Sequence, residues 1–373
     1  MTKNSFQIAR VFGIPVRIHI SWFLIFILIT WSLAGQYFPE RYPHWPSGLY
    51  WLVGIVTSAL FFLSVLVHEF AHSLVSIATG VPVKDITLFI FGGAAQITDE
   101  PRSAVNEFIM AIAGPLTSLV LAILFAIGGL VAQLFSEPLG ALCFYLALIN
   151  AMLGFFNLIP GFPLDGGRVL RSILWGLGGN LQTATRWASR VGQLVAYLMI
   201  FGGIWRILGS GQLDGLWWIL IGWFLDNAAS SSYQQVAMRA MLQGHKVRDI
   251  MNRECSLLPA GMSVQQMVDE YLLPTGRRCF PVLEGDTVRG LLTLHHVKKV
   301  PREAWPTTRV EEIMTPLEQL RAVSPDDELW TALTQMTEDG VNQLPVVEEG
   351  RLVGMLGRDN VLTFIRTRAE LGL

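Results

Sequence analysis

The feature that most limits what this chain can fold into is a succession of apolar runs long enough to cross a bilayer. A membrane-spanning helix needs about 20 mostly apolar residues, because lipid offers no partner to an unpaired backbone amide or carbonyl. The runs are Ile18–Leu33, Leu49–Ala78, Phe108–Phe135, Leu139–Leu158, Val191–Leu208 and Gly215–Ala229, and the second is long enough to be tilted or broken. Lys, Arg, Asp and Glu become frequent only after about Gln234. The chain therefore reads as a polytopic α-helical membrane protein with about six transmembrane helices. The membrane domain covers 1–230, a linker 231–243 and a soluble domain 244–373. The low charged fraction, 15%, against about 25% in ordinary soluble domains, agrees.

Orientation follows from the loop cations, which collect on the cytoplasmic side. With the N-terminus in the cytoplasm, Lys3, Arg10, Arg17, Lys84, Arg102, Arg168, Arg171, Arg186, Arg190, Arg239 and Lys246 all fall on that side, and only Arg41 and Arg206 fall on or near the other. Both termini and the soluble tail are thus expected in the cytoplasm of a cell whose plasma membrane holds the protein. The polar lead before the first run carries no clear small-residue cleavage site, so no removable signal peptide is expected. The net charge of −2 gives no footprint for nucleic acid. Cys143, Cys255 and Cys279 are scattered, which indicates neither a disulfide framework nor a cysteine metal site.

Two segments outside the runs alternate apolar and polar residues around glycines. Ser5–His19 turns at Gly13, and Val83–Thr98 contains Gly92-Gly93. Both read as small membrane-associated β elements. Such an element is either an ordinary interfacial loop or a sheet edge that an extended peptide could join.

The chemistry is concentrated in His68-Glu69-Phe70-Ala71-His72, inside the second run. Residues four apart share a helix face, so both imidazoles can reach one zinc ion, with Glu69 beside the water it activates. The bland reading is a pair of helix-end histidines with Glu69 paired locally. Ionisable groups at membrane depth are costly and mark functional cavities, which favours the metal. A catalytic zinc usually takes three protein ligands and leaves one position open. Asp165, between Pro160-Gly161-Phe162-Pro163 and Gly166-Gly167, is the best third ligand, expected in a rigid non-helical turn. Its alternative is an interfacial loop carboxylate, or one bonded to Arg168. His19 and His44 lack partners at ligand spacing, and His245, His295 and His296 belong to the tail.

These segments, His68-Glu69-Phe70-Ala71-His72 with Asn157-Leu158-Ile159-Pro160 and Leu164-Asp165-Gly166, resemble the site-2 protease family of intramembrane zinc metalloproteases. Gly92-Gly93 and Gly114-Pro115 are similar to further features of that family. The resemblance covers roughly Met1–Ser230. It implies one zinc per chain on His68, His72 and Asp165, with Glu69 as catalytic base, and an endopeptidase that cleaves transmembrane segments. The implied partners are single-span membrane proteins, such as membrane-anchored regulators, within the lipid bilayer. Asn157 could bond the substrate backbone or the developing oxyanion, or it could merely cap the helix before Pro160. The rival class is a transporter or channel, whose path has no need of the HExxH geometry; the third is an inactive relative that only binds partners.

The tail contains an internal repeat of about 60 residues. Val247-Arg-Asp-Ile-Met251 matches Val310-Glu-Glu-Ile-Met314, Pro281-Val282 matches Pro345-Val346, and Gly290-Leu-Leu-Thr293 matches Gly354-Met-Leu-Gly357. It resembles a tandem pair of CBS domains, over about 244–303 and 307–366, implying α/β modules of βαββα type that regulate the membrane domain and could also join two copies as a homodimer. CBS modules that bind adenosine nucleotides usually carry Ser or Thr with an Asp three residues later. This chain has Thr293 with His296, and Gly357 with Asn360. Neither copy offers that carboxylate, although Asp359 lies one position away and Arg358 and Lys298 could meet phosphates. An adenosine ligand is therefore doubtful.

Overall fold

The structure is a computed structural model. It describes residues 5–371 apart from 91, 98–99, 254–255, 277–278, 286, 317–318 and 350; Lys3, Thr98 and Cys255 lie outside the described residues. Backbone contacts divide the chain into two compact units, Met1–Val236 and Ala237–Leu373.

The first unit opens with a hairpin, β1 (Ser5–Val11) and β2 (Ile14–His19), turned at Phe12 and Gly13, both at positive φ. That backbone twist matches the twist of the strands it joins. Helix α1 (Ser21–Ser32) continues through a π-helical turn, Leu33–Tyr37, into α2 (Phe38–Arg41). Then come α3 (Ser47–Ala78), β3 (Val83–Phe89), β4 (Gly92–Ile97), α4 (Ala104–Ala132), α5 (Glu137–Asn157), α6 (Asp165–Gly178), α7 (Leu181–Ser210) and α8 (Gly215–Leu242). Ile18, expected at the start of the first span, belongs to β2, where it alternates inward with Ile14 and Val16.

Five helical segments are long and apolar enough to cross a membrane: Ser21–Arg41, α3, α4, α5 and α7. The protein is a multi-pass membrane protein. The expected sixth run forms the first half of α8, which continues as helix as far as Leu242, through nearly all of 231–243, the stretch expected as a linker. The outward surface of these helices is apolar, with Ile123, Leu124, Ile127 and Leu130 of α4 all more than half exposed. The inward surface is small and polar, as helices in lipid require if their backbones are to approach closely. Thr30 donates to Ser58 at 2.9 Å, and Asn150 donates to the Leu146 carbonyl at 2.8 Å and to Ser64 at 3.3 Å.

The four strands form one sheet in the order β1-β2-β3-β4, antiparallel except for the parallel pair β2–β3. Its buried face, Ile14, Val16 and Ile86, packs on Phe70 of α3, and Ile18 and Leu88 pack against Val65. These contacts fix the sheet beside the middle of α3 and place β4 at its free edge.

The second unit realises the repeat as two similar halves. One contains β5 (Leu258–Pro259), β6 (Cys279–Glu284), β7 (Thr287–Thr293) and β8 (Thr315–Pro316); the other is built on β9 (Gln343–Glu348) and β10 (Arg351–Gly357). Each half borrows from its twin. Thr315, which follows the second copy's Val310–Met314 segment, pairs with Leu291 of the first copy, while Asn252, after the first copy's Val247–Met251, bridges to Met355 of the second. The side chains follow: Val310 is buried in the first half's core with Phe280 and Leu292, and Val247 in the second half's core with Leu344 and Leu356.

Candidate active site

Helix α3 carries His68, Glu69 and His72 at the spacing that puts both imidazoles on one face. That face is buried: His68 is 4% and His72 5% exposed. Asp165 comes to them from the far side of the sequence, at the first turn of α6. It was expected in a non-helical turn. The irregular segment ends one residue earlier, at Leu164, and Asp165 opens the helix.

The segment from Leu158 to Leu164 is held by close backbone contacts. The Phe162 amide donates to the Ala188 carbonyl of α7 at 3.2 Å. A Cβ on Gly166 would overlap the carbonyls of Leu158 and Ile159, and one on Gly167 would overlap Gly161 and the Phe162 amide. Those two glycines after Asp165 are needed because α6 starts directly against the chain that leads into it. Arg171, one and a half turns further on, bonds Glu107 of α4, which is fully buried, and lies over the Phe162 ring at 5.2 Å. Breaking a buried ion pair by removing one partner costs roughly 3–5 kcal/mol, so this pair ties α6 firmly to α4.

Three donor atoms meet at the centre. Nε2 of His68 lies 3.2 Å from Oδ2 of Asp165 and 3.2 Å from Nε2 of His72, which is 3.1 Å from the same oxygen. The other ring nitrogens are tied down behind them: His72 Nδ1 sits 2.7 Å from the Met110 carbonyl and His68 Nδ1 2.8 Å from Ser118 Oγ. A carbonyl only accepts, so His72 Nδ1 carries the proton. In the neutral ring, Nε2 then turns a lone pair toward a carboxylate and toward a second imidazole. Only a cation between them, a proton or a metal ion, makes that convergence favourable. Ligands at the 2.0–2.1 Å distances of tetrahedral zinc stand about 3.3 Å apart, close to this triangle. Histidine ligands also characteristically donate their other N–H to a carbonyl, carboxylate or water, as His72 does. The residues present therefore fit a zinc ion.

Two elements crowd the triangle. A Cβ on Gly114 of α4 would overlap the Nε2 atoms of both histidines. On the other side, β4 runs across Glu69: a Cβ on Gly93 would stand 2.5 Å from Glu69 Cγ, and the Ala95 amide donates to the Glu69 carboxylate. Glu69 is thus outside the triangle but beside it, at the sheet's free edge. Asn157, at the end of α5, donates from Nδ2 to the Leu153 carbonyl at 3.0 Å, which leaves its amide oxygen outside that bond. Of the other histidines, His19 bonds Ser21 and His44 bonds Glu137, both away from the triangle. Among the described residues, His68, His72 and Asp165 are the group arranged to hold a metal. Ser118 and the Glu107–Arg171 pair carry no motif in the sequence, whereas Gly92-Gly93 does, and the structure places Gly93 against Glu69. Glu107 left a signal, an acid entering an apolar helix; Ser118 left only its place four residues after Gly114.

The model of peptidase family M50 matches residues 56–136 and 132–201, and that of the CBS domain matches 247–303 and 310–367. A candidate zinc metalloprotease of Synechocystis sp. is 36% identical over 98% of this chain and 97% of its own. The chain belongs to peptidase family M50. Its M50 region is joined to tandem CBS domains, and the enzyme class expected from the sequence, a zinc metalloprotease, is the one such relatives are named for. A candidate zinc metalloprotease of Mycobacterium tuberculosis, named Rip3, is 32% identical over 97% of this chain and 93% of its own. A solved site-2 protease from Methanocaldococcus jannaschii is 29% identical, with a TM-score of 0.43, covering 61% of this chain and 95% of that one.

In the CBS region, the positions where an adenosine-binding carboxylate was missed are taken up by helix caps. The Thr293 amide donates to Nδ1 of His296 at 3.2 Å, so that nitrogen is unprotonated and Nε2 donates to Thr315 Oγ1 at 3.2 Å. Burial first, then the charge of Lys299, holds the His296 pKa below its ordinary value, which keeps the ring neutral. In the second copy the Gly357 amide donates to Asn360 Oδ1 at 3.1 Å. Neither side chain is free to hold a ribose. Calorimetric titration of the full-length protein with ATP, ADP and AMP is expected to show no binding tighter than about millimolar, a binding free energy of roughly 4 kcal/mol. Micromolar binding would refute this reading of the caps.

Proposed function

We propose that this protein is an intramembrane endopeptidase that holds one zinc on His68, His72 and Asp165 and uses Glu69 as its general base. The observation that carries the proposal is the triangle of donor atoms with the His72 Nδ1 proton committed to a carbonyl, which leaves the Nε2 lone pair aimed at the centre. A transporter would gain nothing from that geometry. When bound, the zinc would supply Lewis-acid polarisation of the scissile carbonyl and lower the pKa of a water toward 7 from about 15.7. Glu69 takes the proton of the attacking water and passes it to the leaving amine. The Ala95 amide holds the carboxylate in place for both transfers. Asn157, with its amide oxygen pointing away from the Leu153 bond, is placed to orient the substrate backbone.

The test is metal analysis of purified, folded variants. His68→Ala, His72→Ala and Asp165→Ala should each drop bound zinc from one per chain to well below half. Full zinc in Asp165→Ala with its fold intact would remove it from the ligand set.

Substrates are proposed to be single-span proteins, including membrane-anchored regulators, cut within or near the bilayer. A helix hides its peptide bonds, so the cut stretch must first unwind, and its freed amides need partners. β4 offers them: a strand added to its free edge would pass beside Glu69. Substrates with Gly, Pro or Asn near the cut should be cleaved at least about tenfold faster than a uniform poly-Leu span, given that one Gly and one Pro together weaken a helix by several kcal/mol. Equal rates, measured on matched spans, would mean that unwinding does not limit the reaction. We place the α3 histidines in the half of the bilayer nearer the cytoplasm of a plasma membrane, with α8 as a sixth span and the CBS pair cytoplasmic, as a regulator of cleavage by gating or by pairing two copies.

A further inference from the structure

Helices α7 and α8 line a polar cleft of about 310 Å3 that shares no residue with the His68–His72–Asp165 site. Its walls are Arg186, Ser189, Arg190 and Gln193 of α7 with Ser230 and Tyr233 of α8. Such a cluster next to a membrane span can be a plain solvated face. Three observations point to a bound anion instead. Arg186 and Arg190 have no carboxylate partner among the described residues, and Asp226 of α8 accepts from Gln193 Nε2 at 3.2 Å, which also donates to Ser230 at 3.1 Å. Ser189 lines the cleft, is 3% exposed, and its Oγ has no hydrogen-bond partner. A buried hydroxyl left without a partner is costly, so Ser189 favours a ligand atom that can bond it. With the ring of Trp187 fixed 5.3 Å from the Arg190 guanidinium, that side chain is also held at the cleft rather than spread into water.

The surroundings say which anion. On α7, residues four and three apart follow one face. The face that carries Arg186 and Arg190 continues with Leu194, Leu198 and Phe201, which are 58%, 63% and 67% exposed. Two guanidinium groups at the end of a span, above an outward apolar stripe and beside Trp187, an aromatic of the kind that sits at headgroup level, match the shape of a phospholipid. Its phosphate would lie between the arginines and Ser189, and its acyl chains along the stripe. We propose that the α7–α8 cleft binds the phosphate headgroup of an anionic phospholipid. Basic pockets between transmembrane helices on the cytoplasmic side hold such headgroups in general. The arginines supply forked donors that fit phosphate oxygens, and Ser189 supplies the buried one.

Native mass spectrometry of the detergent-purified, delipidated full-length protein tests this. Phosphatidylglycerol should bind about tenfold more weakly to Arg186→Gln/Arg190→Gln than to the parent, because two charge-assisted donors to the phosphate are lost. Phosphatidylcholine, whose phosphate is offset by its own choline cation, should bind the parent more weakly than phosphatidylglycerol does and lose less in the double variant. Ser189→Ala, a small change that leaves the helix intact, should weaken phosphatidylglycerol by about threefold, the value of one modest hydrogen bond. Unchanged phosphatidylglycerol affinity in Ser189→Ala and in the double variant overturns the proposal. So does inorganic phosphate that displaces phosphatidylglycerol completely at low millimolar concentration, because the occupant would then be a free anion rather than a lipid.

Discussion

Glu69→Gln is expected to keep one zinc per chain and to lose peptide-bond cleavage by about 10²- to 10⁴-fold, the range general acid–base catalysis contributes. The zinc should stay because Glu69 stands outside the His68–His72–Asp165 triangle. The side chain should also stay in position, since a Gln oxygen can still accept from the Ala95 amide. What disappears is the ability to take a proton from water and return it to the departing amine. Cleavage of a transmembrane substrate in detergent, with zinc measured on the same sample, checks both halves. Near-normal turnover would transfer the base role to another group; zinc loss would move Glu69 into the ligand set.

Gly114→Ala should have an effect as large, by a different route. The new methyl would overlap Nε2 of His68 and of His72. Alanine is a better helix former than glycine by about 1 kcal/mol, so α4 itself should persist while the two imidazoles are pushed off their positions. Zinc content should fall to near zero, and cleavage by at least about a hundredfold, as when the groups that orient metal ligands are lost. Gly128→Ala is the control: it lies on the same helix, and a Cβ there meets nothing within 4 Å. If Gly114→Ala binds zinc as tightly as the parent, the metal is not held where the three donors converge.

The sequence carried the parts of this site that depend on spacing along one helix. The separation of His68 and His72 states their common face, and the acid between them needed no tertiary knowledge. Asp165 is legible because its neighbours are unusual, but its place at the start of a helix is not: Pro163 suggests irregular chain, and Gly166-Gly167 does not read as a helix start. The structure explains those glycines by the carbonyls of Leu158 and Ile159 pressed against them, a contact with no local signature. The same limit hid Ser118 behind His68 and β4 over Glu69. Both join positions far apart in the chain, and one sequence holds no record of such pairs. The strand content was legible where alternation was clean, as in Ile14, Val16 and Ile18. The sixth run is legible as an apolar stretch and forms the first half of α8, but the helix's continuation through the polar residues after it is not, because that half has no apolar periodicity to announce it.

The exchange of segments between the two halves of the tail constrains the gene as much as the protein. Thr315 completes a sheet that begins with residues of the first copy, and Asn252 does the same for the second. Neither half, cut at the repeat boundary, carries its own edge residue or its own Val310 or Val247. A deletion, a duplication or a recombination joint that respected the repeat as written would therefore leave two unfinished cores. The unit of inheritance here is the pair, and a change tolerated in one copy must be tolerated by the surface it lends to the other.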